Sequence, residues 1–164
     1  MLFTIVLIIA LVLAICFSFV LLNGAPYLPT LKKQIDVAFE IAGLEAGDSI
    51  IELGCGDGRV LIAAAKAGLN GIGYELNPIM FAISWLRLRP YRDHIKLIWG
   101  DFWRKDWPEA DAIYVFLLPR LMAKLEGAVL SRDKAPKVLI SFAFEIPNRK
   151  PDRQKEGVFL YRLK

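Results

Sequence analysis

The sequence predicts an α/β protein: a doubly wound, mostly parallel sheet with helices on both faces, preceded by one transmembrane helix. Three observations carry that expectation. From residue 49 onward short apolar runs alternate with amphipathic stretches, and glycine- or acid-containing turns close the first three runs. Ahead of them, the first 22 residues hold 20 hydrophobic side chains and no charge. With 55% hydrophobic and 23% charged residues, the 164-residue chain is not a disordered protein, a coiled coil or a disulfide-stapled mini-domain.

Met1 to Leu22 is interrupted only by Thr4 and Ser18, and the first charged side chain is Lys32. As a helix this stretch reaches about 33 Å, enough for a hydrocarbon core of about 30 Å. A cleaved secretory signal would instead place a basic residue ahead of a shorter apolar core. Residues 1–22 are therefore expected to be a single-pass anchor in a lipid bilayer, residues 23–30 a connector, and residues 31–164 one domain. Lys32 and Lys33 place that domain on the cytoplasmic side. The net charge of +4 is too small to imply a nucleic-acid partner. Cys16 and Cys55 offer no disulfide or metal framework, so no metal is expected.

Thr30 is a candidate cap for a helix running to Ala42, with Ile35, Ala38 and Phe39 at core spacing and Gly43 as its stop. The first strand is Ser49 to Leu53, followed by a glycine turn and a helix from Arg59 to Ala67. Gly71 to Glu75 is the second strand, and Asn77-Pro78 opens a helix to about Leu88. The third strand, about Ile95 to Trp99, ends at Gly100-Asp101. A loop holding Trp103, Trp107 and Pro108 leads to the fourth strand, Ala112 to Leu117. Pro119 opens a helix to about Leu130. Val138 to Phe144 is the fifth strand and Val158 to Leu163 the sixth and last, so the sheet is expected to be truncated at its C-terminal strand.

In parallel sheets ligands sit at the carboxyl ends of the strands, which draws attention to Glu52-Leu53-Gly54-Cys55-Gly56-Asp57-Gly58-Arg59. Its glycines let the backbone approach a ligand near a helix N-terminus. Counted from Gly54, the dinucleotide fingerprint needs its third glycine where Arg59 stands, which disfavours a nicotinamide cofactor. Glu75 lies 21 residues after Gly54, where a carboxylate accepts both hydrogen bonds of a ribose diol. Asp101 is placed to accept from an exocyclic amine, with Phe102 packing near a purine.

This arrangement resembles the class I, seven-strand methyltransferases of Rossmann-like fold, which bind S-adenosyl-L-methionine. The resemblance implies that Gly54, Cys55, Gly56 and Gly58 surround the methionine portion, with Glu52 at the usual acidic position of the first strand. It further implies that Glu75 binds the ribose hydroxyls, that Asp101 and Phe102 hold the adenine, and that Leu76 is also cofactor-binding. Pro26-Tyr27-Leu28-Pro29-Thr30, Gly73 to Pro78 and Phe116-Leu117-Leu118-Pro119 resemble more closely the protein-lysine methyltransferases of the ATP synthase c-subunit and adenine nucleotide translocase type. Leu31 departs from that pattern, where relatives tend to have a second proline. Tyr27, Phe116, Leu118 and Pro119 are then the acceptor-pocket candidates. The implied function is membrane-anchored methylation of a lysine in a membrane-proximal protein. A lipid or quinone-like acceptor, or an idle cofactor-binding module that recruits partners to the membrane, are the alternatives.

Among the remaining residues, Cys55 is read as a small loop residue and not a nucleophile, and Trp99, Trp103 and Trp107 as core or interface. Arg87, Arg89 and Arg92 are read as a solvated helix end, with contact to membrane phosphates as the sharper reading. His94 precedes the third strand, at the end opposite the ligand face.

Overall fold

The structure is a computed structural model that describes residues 1–8, 10–11, 14, 29–132 and 135–163. Most of the expected anchor and connector, including Cys16 and Tyr27, lies outside the described residues. Residues 2–8 are helical, but among the described residues no helix is long and apolar enough to cross a membrane.

Seven strands form one sheet in the order β3-β2-β1-β4-β5-β7-β6. They are β1 (Ser49–Leu53), β2 (Asn70–Glu75), β3 (Ile95–Trp99), β4 (Ala112–Val115), β5 (Val138–Phe142), β6 (Arg153–Lys155) and β7 (Val158–Arg162). The first five run parallel; β7 is antiparallel to both β5 and β6. Strand order reverses between β1 and β4, so the carboxyl end of β1 is the switch point where such sheets bind ligands.

The expected truncation is corrected by β6. Arg153, Gln154 and Lys155 are all exposed, so this edge strand has no apolar alternation to read. It is held by a tight turn in which Glu156 and Gly157 both take positive φ, 51° and 78°, the two-residue hairpin geometry that matches strand twist.

Four helices cover the sheet: α1 (Lys32–Ala42), α2 (Arg59–Lys66), α3 (Pro78–Leu88) and α4 (Pro119–Leu130). On one face α1 and α2 bury Ile35, Ala38, Val60 and Ala64 against Ile50, Tyr114 and Ile140. On the other, α4 sets Met122, Leu125 and Val129 against Ile51, Leu53, Ile113 and Leu139. The latter face has one long helix, and Trp103 and Trp107 complete its cover. Lys124 lies 4.2 Å from the Trp103 ring and Arg132 4.0 Å from that of Trp107.

Thr30 is not the cap of α1. Leu31 occupies that position without a side-chain cap, while Gly43 ends the helix in the left-handed conformation at φ 64°. The Thr30 hydroxyl instead accepts from the buried Tyr114 hydroxyl at 3.3 Å, and its carbonyl accepts from Arg59 at 3.2 Å. The chain therefore enters the domain at the carboxyl end of β4.

Candidate functional site

At the switch point the backbone leaves β1 through Gly54, Gly56 and Gly58, with φ of 82°, 54° and 76°. All are left-handed values that cost a side-chain-bearing residue about 1–2 kcal/mol. A methyl group at Gly54 would meet nothing within 4 Å, so this glycine keeps space open to one side of the loop. The amide groups of Gly54 and Cys55 both donate to the Tyr74 carbonyl at 2.9 Å, holding the turn to β2.

Glu75, at the end of β2, spans the loop and the next helix. One carboxylate oxygen accepts from Gly56 N–H at 2.7 Å and the other from Asn77 N–H at 2.7 Å. Asn77 in turn caps α3, its side-chain oxygen accepting from Ile79 N–H at 2.9 Å. Each Glu75 oxygen retains a lone pair for a ligand hydroxyl. Burial pushes this carboxyl above its usual range, against the opposing pull of the Asn77 and Gly56 amides.

Glu52 is the second buried acid of the site. It lies on β1 between Gly73 and Tyr114, and its Oε2 is buried without a hydrogen-bond partner. Burial, reinforced by Glu75 and Asp57, raises its carboxyl well above the usual range. A buried carboxylate oxygen left unpaired is costly unless a ligand donor meets it.

Asp57 and its two arginines carry a role that sequence reasoning missed. Asp57 is buried and accepts from Arg59 Nε and Nη2, both at 2.9 Å, and from Arg87 of α3. Burial opposes its ionisation, but the two guanidinium groups outweigh that and hold its carboxyl below the usual range. Arg87 is thus a clamp between the loop and α3, not a solvated helix end. Of its neighbours, Arg92 donates back to the Arg89 carbonyl at 3.2 Å.

Cys55 Sγ faces away from the loop mouth: a methyl group at Gly73 would fall 3.0 Å from it and 2.4 Å from Leu61 Cδ1. Burial, with Glu52 and Glu75 nearby, raises its thiol well above the usual range, the opposite of what a nucleophile needs. Leu76 offers its carbonyl to the Trp99 indole N–H at 3.2 Å. Asp101 caps the short helical turn Phe102–Arg104 by accepting from Trp103 N–H at 3.0 Å. The Phe102 ring packs 4.6 Å from that of Trp103.

Across the switch point, Phe116 follows β4 with its ring 4.8 Å from Phe142 and 6.2 Å from Phe144. Leu118 is half-buried beside it and Pro119 is exposed at the start of α4. Ala143 adopts φ 69° as the chain turns out of β5, with Ser141 Oγ donating to the Phe144 carbonyl at 2.5 Å. At the opposite end of the sheet, Asn70, His94 and Lys96 line a cleft of about 200 Å³. His94 is therefore remote from the glycine loop. Among the described residues, no group of His, Cys, Asp or Glu side chains is arranged to hold a metal ion.

Residues 52–153 match the family described as the ANTKMT methyltransferase domain. The chain belongs to this family. A protein-lysine N-methyltransferase of Saccharolobus islandicus (strain REY15A) is 31% identical over 130 residues, which cover 77% of this chain and 81% of that protein. The human lysine N-methyltransferase of the ATP synthase c-subunit is 30% identical over 131 residues, covering 77% of this chain. The chain spans only 55% of that human protein's length. Among solved structures, an RNA methyltransferase from Salinibacter ruber in complex with S-adenosyl-L-homocysteine superposes with a TM-score of 0.73 at 29% identity. The superposition covers 82% of this chain and 92% of that one. For the ANTKMT family member described here, the seven-stranded sheet is thus a fold shared with a solved methyltransferase.

Proposed function

We propose that the protein is an S-adenosylmethionine-dependent methyltransferase acting on a lysine side chain of a membrane-proximal protein. The observation that carries the cofactor reading is Glu75, a buried carboxylate fixed by the Gly56 and Asn77 amides at the rim of the loop. The residues present fit that cofactor: Gly54 leaves open space, Glu75 has lone pairs for a ribose diol, and Glu52 Oε2 awaits a donor. S-adenosylmethionine supplies an electrophilic methyl group on a sulfonium sulfur.

The acceptor class is supported by kinship to protein-lysine N-methyltransferases and by the chemistry of the opposite wall. Phe116, Phe142 and Phe144 cluster at the carboxyl ends of β4 and β5, and desolvation of a lysine beside them would favour the neutral amine that attacks a methyl group. With a neutral nucleophile, alignment supplies much of the rate and the chain need not provide a dedicated base. The apolar first 22 residues support a single-pass anchor, with the domain on the cytoplasmic side by the Lys32 and Lys33 argument.

An RNA acceptor has one observation in its favour, the likeness to the Salinibacter ruber protein. The net charge of +4 gives it little electrostatic support. Transfer of a labelled methyl group from the cofactor to whole membranes and to total RNA separates the readings. Label on lysine, found by mass spectrometry of membrane proteins, is the expected outcome. Label confined to RNA or to the organic-extractable fraction would overturn the lysine acceptor.

A further inference from the structure

The outward face of α3 departs from that of α1. Outward positions of α1 carry Lys32, Lys33, Asp36 and Glu40, with Lys32 and Asp36 paired at 2.5 Å. In contrast, α3 has no acid and a single charged residue, Arg87, which is turned onto Asp57. Its inward side is satisfied by Ser84 and Leu88, both buried. On the outward side Ile79, Ile83 and Leu86 follow helical spacing along one stripe, with Trp85 beside them. Trp85 is 51% exposed and Leu86 57%.

Trp99 extends this surface from the end of β3. It is 59% exposed, steadied by its indole bond to the Leu76 carbonyl and by the Phe81 ring at 6.3 Å. Arginines border the patch: Arg89 lies 5.3 Å from the Trp85 ring, and Arg92 follows within the next turn. An apolar face bordered by tryptophan and arginine and free of carboxylates on its helix is the pattern of a surface seated at a lipid headgroup boundary.

We propose that the outward face of α3, with Trp99, is a lipid-interfacial surface that seats in an anionic bilayer, with Arg89 and Arg92 on lipid phosphates. The path of the chain favours this occupant. The uncharged tract of residues 1–22 leads into the domain through Thr30, which is fastened to Tyr114 at the carboxyl end of the sheet. Trp99 and the start of α3 lie at that same end, and the apolar face runs from there along α3 to Arg89 and Arg92 beside the His94 end of the sheet. The rim of the glycine loop lies at the Trp99 end too, because Gly100 N–H donates to the Glu75 carbonyl at 2.9 Å.

The test uses the full chain in phosphatidylcholine vesicles containing about 30% phosphatidylglycerol, with and without bromine on the upper acyl chain. Brominated lipid is expected to quench tryptophan emission about two-fold. Most of that quenching should vanish in a Trp85→Phe/Trp99→Phe double variant, because Trp103 and Trp107 pack on the other sheet face. Equal quenching in both proteins, or none in either, would overturn the proposal. So would a disulfide-linked dimer formed in high yield through Ile83→Cys, which would assign the face to a second copy. Arg89→Glu/Arg92→Glu is expected to abolish the preference for anionic over neutral vesicles, and an unchanged preference would remove the phosphate contacts. None of these measurements involves methyl transfer, so this surface and the proposed activity stand or fall separately.

Discussion

On the β1–β3 side of the switch point the carboxyl ends of the strands are tied down by charge. Glu75 holds two backbone amides, Asp57 holds two arginines, and Glu52 is buried with one oxygen unpaired. On the β4–β5 side the equivalent ends carry Phe116, Phe142 and Phe144, whose side chains meet through ring contacts. The contrast teaches how labour is divided. A polar cofactor with fixed hydroxyl and ammonium positions needs directional groups held in place, whereas a flexible apolar-stemmed acceptor needs a dry channel of suitable shape. If the division is real, disturbing one side should leave the other unmoved.

The largest effect is expected from Glu75→Gln. The amide keeps the shape but turns a donor toward Gly56 or Asn77, so one of two short bonds is lost along with the charge. Calorimetry should show cofactor binding weakened by about 30- to 100-fold, equivalent to about 2–3 kcal/mol for a charged hydrogen bond. An affinity within two-fold of the parent would break the assignment of this side to the cofactor.

Gly54→Ala should follow. The free protein has room for the methyl group, so its fold loses only what the left-handed backbone costs, about 1–2 kcal/mol or a Tm lower by about 2–8 °C. Cofactor affinity should fall further, by about 10-fold or more, because the added methyl group occupies the open side of the loop. Melting and binding measured on the same sample distinguish a strained loop from an obstructed one.

Phe116→Ala addresses the other side. It opens the aromatic cluster without touching Glu75, so kcat/KM for the acceptor should drop about 10-fold, the usual scale for a lost aromatic contact. Cofactor affinity should stay within about two-fold. Loss of both together would merge the two walls into one site.

The same division governs how much of the molecule is legible in its sequence. The glycine loop, Glu75 and the Asn77-Pro78 start of α3 are local patterns, each complete within a few residues, and they appear in the structure where the pattern puts them. Partnerships across long stretches of chain leave no such trace. Arg87 reaches Asp57 across 30 residues, and Tyr114 reaches Thr30 across 84, so each looks in sequence like an ordinary helix end, strand residue or cap. β6 escapes notice because three exposed polar residues at a sheet edge give no periodic signal. Phe102 suggests a purine contact by its type, and the packing of its ring 4.6 Å from that of Trp103 is a detail that residue type does not reveal.

The smallest expected effect, from Glu52→Gln, is the sharpest on this contrast because its size depends on pH. A carboxyl held above its unfolded range binds its proton more tightly in the native state. Its stabilising contribution is therefore complete below the unfolded value, near pH 4, and is lost as pH rises through the folded value. Above that value the native state carries a buried, half-partnered charge that the unfolded chain would hydrate. Glutamine is uncharged at every pH, so the variant should match the parent in acid and melt about 2–4 °C higher at neutral pH, for about 1 kcal/mol relieved. If cofactor affinity falls in that same stabilised variant, Glu52 is an acid kept for its ligand at the expense of the fold. A variant less stable than the parent at neutral pH would mean that the charge is already compensated within the protein, and the β1 end would then owe its acid to packing.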